Sequence, residues 1–88
     1  MGGEVWKFKV QHGADATVRL PWGAQILDVG CQGEVVYLWA LVTPVNSGTD
    51  RRIAYFATGE PIPDGWEYVG TGHAPGPYVW HVFEEVLF

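Results

Sequence analysis

Apolar and polar residues alternate with a period of two along much of the chain, the pattern of extended strands whose successive side chains point to opposite faces. Trp6, Phe8 and Val10 alternate with Lys7 and Lys9 and predict a half-buried first strand. Gln11 to Asp15 reads as a turn, after which Thr17-Val18-Arg19-Leu20 alternates again and is expected to close a hairpin with the first strand. Pro21-Trp22-Gly23 then breaks the chain, because proline fixes φ and glycine tolerates positive φ. Gln25 to Cys31 predicts a third strand, with Gln32-Gly33 as a two-residue turn into Glu34–Val42. That fourth strand is apolar at both parities: Val35, Tyr37, Trp39 and Leu41 against Val36, Leu38, Ala40 and Val42. It is therefore expected to be central and covered on both faces. Thr43 to Asp50 is expected to be the most mobile loop, and Arg51–Thr58 to return beside Glu34–Val42 as a long hairpin.

The second half of the chain is more interrupted. Gly59 to Gly65 contains Pro61 and Pro63, which lack a backbone donor, and predicts neither a helix nor a central strand. Glu67 to Gly70 predicts a short strand, Gly70 to Pro77 a glycine- and proline-rich loop, and Tyr78 to Val86 a strand rich in aromatic and β-branched residues. Helical spacing is absent, and a short helical turn fits only at His81 to Leu87. The expected class is all-β, or α+β with that one turn. The expected architecture is a single small antiparallel sandwich or partly open barrel of about six to seven strands spanning residues 1–88.

Composition sharpens this picture. Eighty-eight residues allow one core, and chains of this size bury only about 60–65% of their unfolded surface. Five Trp, four Tyr and four Phe offset that shortage, since each buried ring removes roughly 150–250 Å² from water. Oligomerisation is a second route to stability at this size, and a homo-oligomer is expected. The net charge of −5, with cations confined to Lys7, Lys9, Arg19, Arg51 and Arg52, argues against duplex nucleic acid as a partner. A single cysteine, no apolar leader and no apolar stretch of about 18 residues point to a reducing cytoplasm and away from a membrane.

Few residues carry candidate chemistry. His12, His73 and His81 lack metal-site spacing, so no metal or cofactor is expected. A nucleophilic pair of Cys31 with His81 has no nameable orienting group, and no enzymatic activity is expected. The Gly70–Gly76 segment lacks the Lys-Ser/Thr ending of a phosphate loop, which leaves an anion pocket of backbone N–H groups as its one functional reading. Arg51 and Arg52 point to opposite faces of a strand, so that one of them can enter a pocket and hold an anion. Tyr78 and Trp80 share one strand face, and His81 and Phe83 the other. One face is expected to belong to the core; the other then displays either Tyr78 and Trp80, a stacking platform, or His81 beside Phe83. The alternative is that both faces are buried, with His81 a satisfied core histidine. The candidate ligand-binding set is Arg51, Arg52, Trp66, Thr71, Tyr78, Trp80 and His81.

The segments Leu20-Pro21-Trp22-Gly23-Ala24-Gln25-Ile26-Leu27-Asp28-Val29 and Leu38-Trp39-Ala40-Leu41-Val42 belong to a wider pattern. With Thr58-Gly59-Glu60-Pro61-Ile62-Pro63, Tyr68-Val69-Gly70-Thr71 and Tyr78-Val79-Trp80-His81-Val82-Phe83-Glu84, they resemble a family of small uncharacterised phage and prophage proteins. The resemblance runs from Trp6 to Glu84 and transfers no catalytic residues. It implies a protein acting in the host cytoplasm. In size, class and aromatic content the chain is also similar to phage proteins that sequester nucleotide immune signals. The leading expectation is a non-catalytic sponge for a nucleotide-like small molecule; the alternatives are a protein–protein inhibitor of a host enzyme and an accessory or structural phage protein.

Overall fold

The longest apolar run becomes the middle strand of a sheet, as its composition requires. In the computed structural model, which describes residues 2–44 and 47–86, β5 (Val35–Val42) lies between β1 (Glu4–Lys9) and β4 (Gln25–Gln32), antiparallel to both. The β4–β5 connection is the two-residue turn Gly33–Glu34 with Gln32 paired to Val35, one position later than the sequence suggests. Gly33 has φ +60° and stands first in the turn, where a II′ hairpin needs positive φ. A bulge at Leu27 separates the pairs Ile26–Ala40 and Asp28–Trp39.

A second sheet has the order β2 (Gln11–His12), β7 (Ile53–Ala57), β9 (Val79–Glu85), β8 (Trp66–His73). Within it β2 runs parallel to β7, and the other pairs are antiparallel. β3 (Val18–Pro21) and β6 (Gly48–Arg51) form a third, two-stranded sheet. The all-β class therefore holds, with nine strands among the described residues, and none of the three sheets closes into a barrel. Val79 to Val86 is strand and its exit, not a helical turn; Leu87 lies outside the described residues.

Two expected hairpins are replaced by longer-range pairing. β1 pairs with β5 over the whole span from Glu4–Val42 to Lys9–Tyr37, so β3 pairs with β6 instead. With β1 and β4 holding both edges of β5, Ile53–Ala57 cannot return beside it and pairs with β9 and β2. The Thr43–Asp50 loop is correspondingly shorter, since Gly48–Asp50 belongs to β6, and Val45 and Asn46 lie outside the described residues.

The core lies between the inner faces of the first two sheets. Val36, Leu38, Ala40 and Val42 of β5, Val29 of β4, Ile53 of β7 and Val82 of β9 are buried there with Val10, Val18 and Leu20. The opposite face of β5 is not covered as expected: Tyr37 and Trp39 are half-buried and Leu41 is exposed. The two sheets approach most closely where β8 crosses β4. A Cβ on Gly70 would stand 3.0 Å from the Val29 Cβ, and one on Gly72 would stand 2.9 Å from Cys31 Sγ and 3.2 Å from the Gly30 carbonyl carbon. Gly70 and Gly72 therefore serve as strand residues that let two backbones meet, not as members of a phosphate-holding loop.

Candidate ligand-binding site

Strand β9 presents two faces, and the register settles which is which. Val82 and Trp80 pair with Tyr55 and Ala57 of β7 and with Gly70 and Gly72 of β8, so this face looks toward the core. Val82 is fully buried there, whereas Trp80 sits at the rim, half-exposed, with Tyr55 behind it at 5.1 Å. Tyr78, just before the strand, stacks on Trp80 with a centroid distance of 5.9 Å and only 9° between the ring planes. Tyr78 is 57% exposed, so the outer side of the stack is open. One cleft of about 280 Å³ is lined by Glu34, Ala74, Tyr78 and Trp80. Another of about 270 Å³ is lined by Ala57, Thr58, Pro77, Tyr78, Val79 and Trp80. The Ala74 N–H donates to the Tyr78 carbonyl at 3.0 Å, closing the short loop that places the Tyr78 ring.

The other face of β9 is a packed aromatic layer. Phe56 is buried beneath Trp66, in an edge-on contact at 5.7 Å, and beneath Phe83 at 6.1 Å. His81 has both ring nitrogens occupied: Nε2 lies 2.8 Å from the Thr58 hydroxyl and Nδ1 lies 3.2 Å from the Thr71 hydroxyl. Thr71 in turn is 2.7 Å from the Tyr68 hydroxyl. Through Thr58, this hydrogen-bonded chain touches the second cleft. His81 is thus a satisfied histidine next to the aromatic stack rather than a group inside it.

Cys31 and His81 do not meet. Cys31 Sγ lies against Gly72 on the inner side of β8, whereas His81 bonds to Thr71, the neighbouring residue directed to the outer side. Burial pushes the Cys31 thiol above its ordinary value, which lowers its thiolate fraction near neutral pH. No group of three metal-ligating side chains occurs among the described residues.

The arginines lie at the opposite end of the sheet. Arg51 donates to both carboxylate oxygens of Glu84, at 2.6 and 2.8 Å, and to the Ala24 carbonyl at 2.8 Å. Arg52 donates to the Ala14 carbonyl at 2.7 Å and pairs with Glu85 at 3.4 Å. Glu84 lies four positions beyond Trp80 on β9, roughly 13 Å along the strand. A cavity of about 380 Å³ there combines Arg51 and Arg52 with Asp50, Glu84, Glu85 and Thr17, three carboxylates against two guanidinium groups. The candidate residues are therefore distributed over three places: Tyr78 and Trp80 in the stack, Trp66, Thr71 and His81 on the outer face, and Arg51 and Arg52 in structural ion pairs. Glu34, Thr58 and Tyr55 join the stack although the sequence did not single them out. Their contribution depends on β7–β9 pairing and on the position of a hairpin tip, which local spacing does not encode.

A family model described as a domain of unknown function, DUF7352, matches residues 1–87. The chain belongs to the DUF7352 family. No curated protein and no solved structure matches it. Membership of DUF7352 assigns no chemistry, so the residues themselves carry the functional argument.

Proposed function

We propose that this DUF7352 protein is a non-catalytic phage binding protein that captures a nucleotide-derived small molecule by stacking its base at the Tyr78–Trp80 rings. The observation that carries the reading is the near-parallel pair of rings, open on one side and bounded by two clefts of about 280 and 270 Å³. Clefts of this size fall just below the range for small-ligand pockets, about 300–1,000 Å³, so each holds part of a ligand, such as its ring. Stacking of a base on such a ring contributes about 1–3 kcal/mol. The lining includes one carboxylate and no lysine or arginine, so the ring of the ligand, not its phosphates, supplies the affinity. The ion-paired arginines stay outside this reading.

Heat-releasing small molecules from the purified protein and identifying them by mass spectrometry tests the idea. A nucleotide-derived compound returned intact, and lost in Tyr78→Ala, is the expected result. Recovery of no such compound after exposure to a host extract overturns the reading. A second reading, a protein–protein inhibitor, has one observation in its favour. Val5 and Leu41, directly paired across β1 and β5, are 56% and 40% exposed, and Leu27 at the bulge is 48% exposed. Exposed apolar groups collected on one sheet mark interaction surfaces. A stoichiometric host partner lost in Leu41→Glu, without any bound small molecule, would favour it.

A further inference from the structure

The cleft on the Glu34 side has an unusual combination of groups for its size. A flat aromatic wall of Tyr78 and Trp80 shares this cleft with Glu34 of the β4–β5 hairpin tip, the one acidic residue of its lining, and Ala74 adds no polar side chain. Glu34 has no arginine, lysine or histidine partner among the described hydrogen bonds and ion pairs, whereas Glu60, Glu84 and Glu85 each have one. An ionised carboxylate only accepts hydrogen bonds, and it accepts two parallel ones best from a rigid pair of adjacent N–H groups. A ring stacked on Tyr78 with its edge toward Glu34 must therefore present donors there.

Resting on the stacking reading above, the geometry points to Glu34 as the residue that selects the base, and to a guanine-type edge as its ligand. Guanine offers adjacent N1–H and N2–H donors on one rigid edge, matching the two carboxylate oxygens. Adenine and cytosine place a ring-nitrogen acceptor beside their single amino group, which faces the carboxylate with a lone pair. Hypoxanthine keeps N1–H and lacks the amino group. Because Glu34 is exposed, water serves an oxygen left without a donor, and guanine's advantage over the analogue that lacks one donor is the one additional charge-assisted hydrogen bond it makes. The absence of cationic residues from the lining directs this selection to the base edge, with sugar and phosphate leaving toward solvent.

Calorimetric titration of the purified protein with guanosine, inosine and adenosine tests the assignment, using the wild type, Glu34→Gln and Tyr78→Ala. Guanosine is expected to bind roughly 10-fold or more tightly than inosine or adenosine, the scale of one charge-assisted hydrogen bond. Glu34→Gln is expected to remove that preference, since the amide replaces one acceptor with a donor. Glu34 is exposed at a hairpin tip, so this variant folds, and an unchanged circular dichroism spectrum verifies it. Equal binding of all three nucleosides, abolished by Tyr78→Ala, would overturn the role of Glu34 and leave the stacking reading standing. Failure of every nucleoside to bind would remove both. Binding of arginine amide in place of guanosine would reassign the cleft to a guanidinium group and overturn the base assignment.

Discussion

Gly72 and Trp80 are direct neighbours across β8 and β9, yet the molecule treats their surroundings in opposite ways. At Gly72 the two sheets are in contact, with room for a hydrogen but not a Cβ before Cys31 and the Gly30 backbone are met. One strand over, the sheets have separated far enough that Trp80 reaches the surface and stacks on Tyr78 beside two clefts. The closed seam sets the distance between the layers, and the open end is where that distance leaves aromatic surface uncovered. Close packing at one point of a small sandwich thus leaves an aromatic wall uncovered at another.

The comparison can be broken most strongly at the seam. Gly72→Val should cost about 1–3 kcal/mol or more of stability, because added volume must displace backbone as well as the Cys31 sulfur. Urea unfolding with an unchanged slope would measure it, and a wild-type midpoint would show that the sheets do not meet closely at Gly72. At the far end of β9, Arg51→Met removes two charge-assisted bonds to Glu84 and one to the Ala24 carbonyl, a loss of about 1.5–3 kcal/mol for part-buried groups. The same variant should bind ligand as the wild type does. A selective loss of binding in a stable Arg51→Met protein would return the arginine to the site.

Tyr78→Ala belongs to the open side and should cost under about 1 kcal/mol, the scale of one exposed aromatic pair, while abolishing ligand binding. A large fall in stability would instead place Tyr78 in the core. The smallest effect is at the turn after β7. There the Glu60 carboxyl accepts from the Ala57 N–H at 2.8 Å and sits 2.9 Å from His12 Nε2, which together hold it below its ordinary value. A depressed folded value means that the Glu60 contribution is complete above its ordinary 4.5 and fades as pH falls through the folded value. The stability gap between wild type and Glu60→Gln should therefore be complete above pH 4.5 and narrow on further acidification; a gap that does not narrow in acid would refute the assignment.

The legibility of the sequence followed the range of the interaction. Strand identity is local: the expected central strand Glu34–Val42 is the middle strand β5 from Val35 on, though covered on one face only, and the Pro21-Trp22-Gly23 break is a turn in which the Ala24 N–H donates to the Pro21 carbonyl. Partner choice was not local. Val18–Leu20 and Ile53–Ala57 each carried a plausible neighbour in sequence, and each lost it because β5 has only two edges and β1 and β4 take both. The Gly70–His73 segment read as loop because glycine disfavours strands in isolation; burial against β4 outweighs that cost only once the second layer is in place. The candidate site divides in the same way. The Tyr78–Trp80 pair is two residues apart on one face and was visible, whereas the withdrawal of Arg51 into a pair with Glu84, 33 positions away, was not.

An all-β domain of alternating strands, an aromatic surplus and the aromatic face of the last strand were legible in the chain alone, because each follows from side-chain type and a period of two. The tertiary structure alone decided which strands became neighbours, which face of β9 met the core, where the sheets touched and which charges were neutralised by partners. Those outcomes depend on contacts between residues far apart in the chain, and competition for a limited number of strand edges and buried positions settles them.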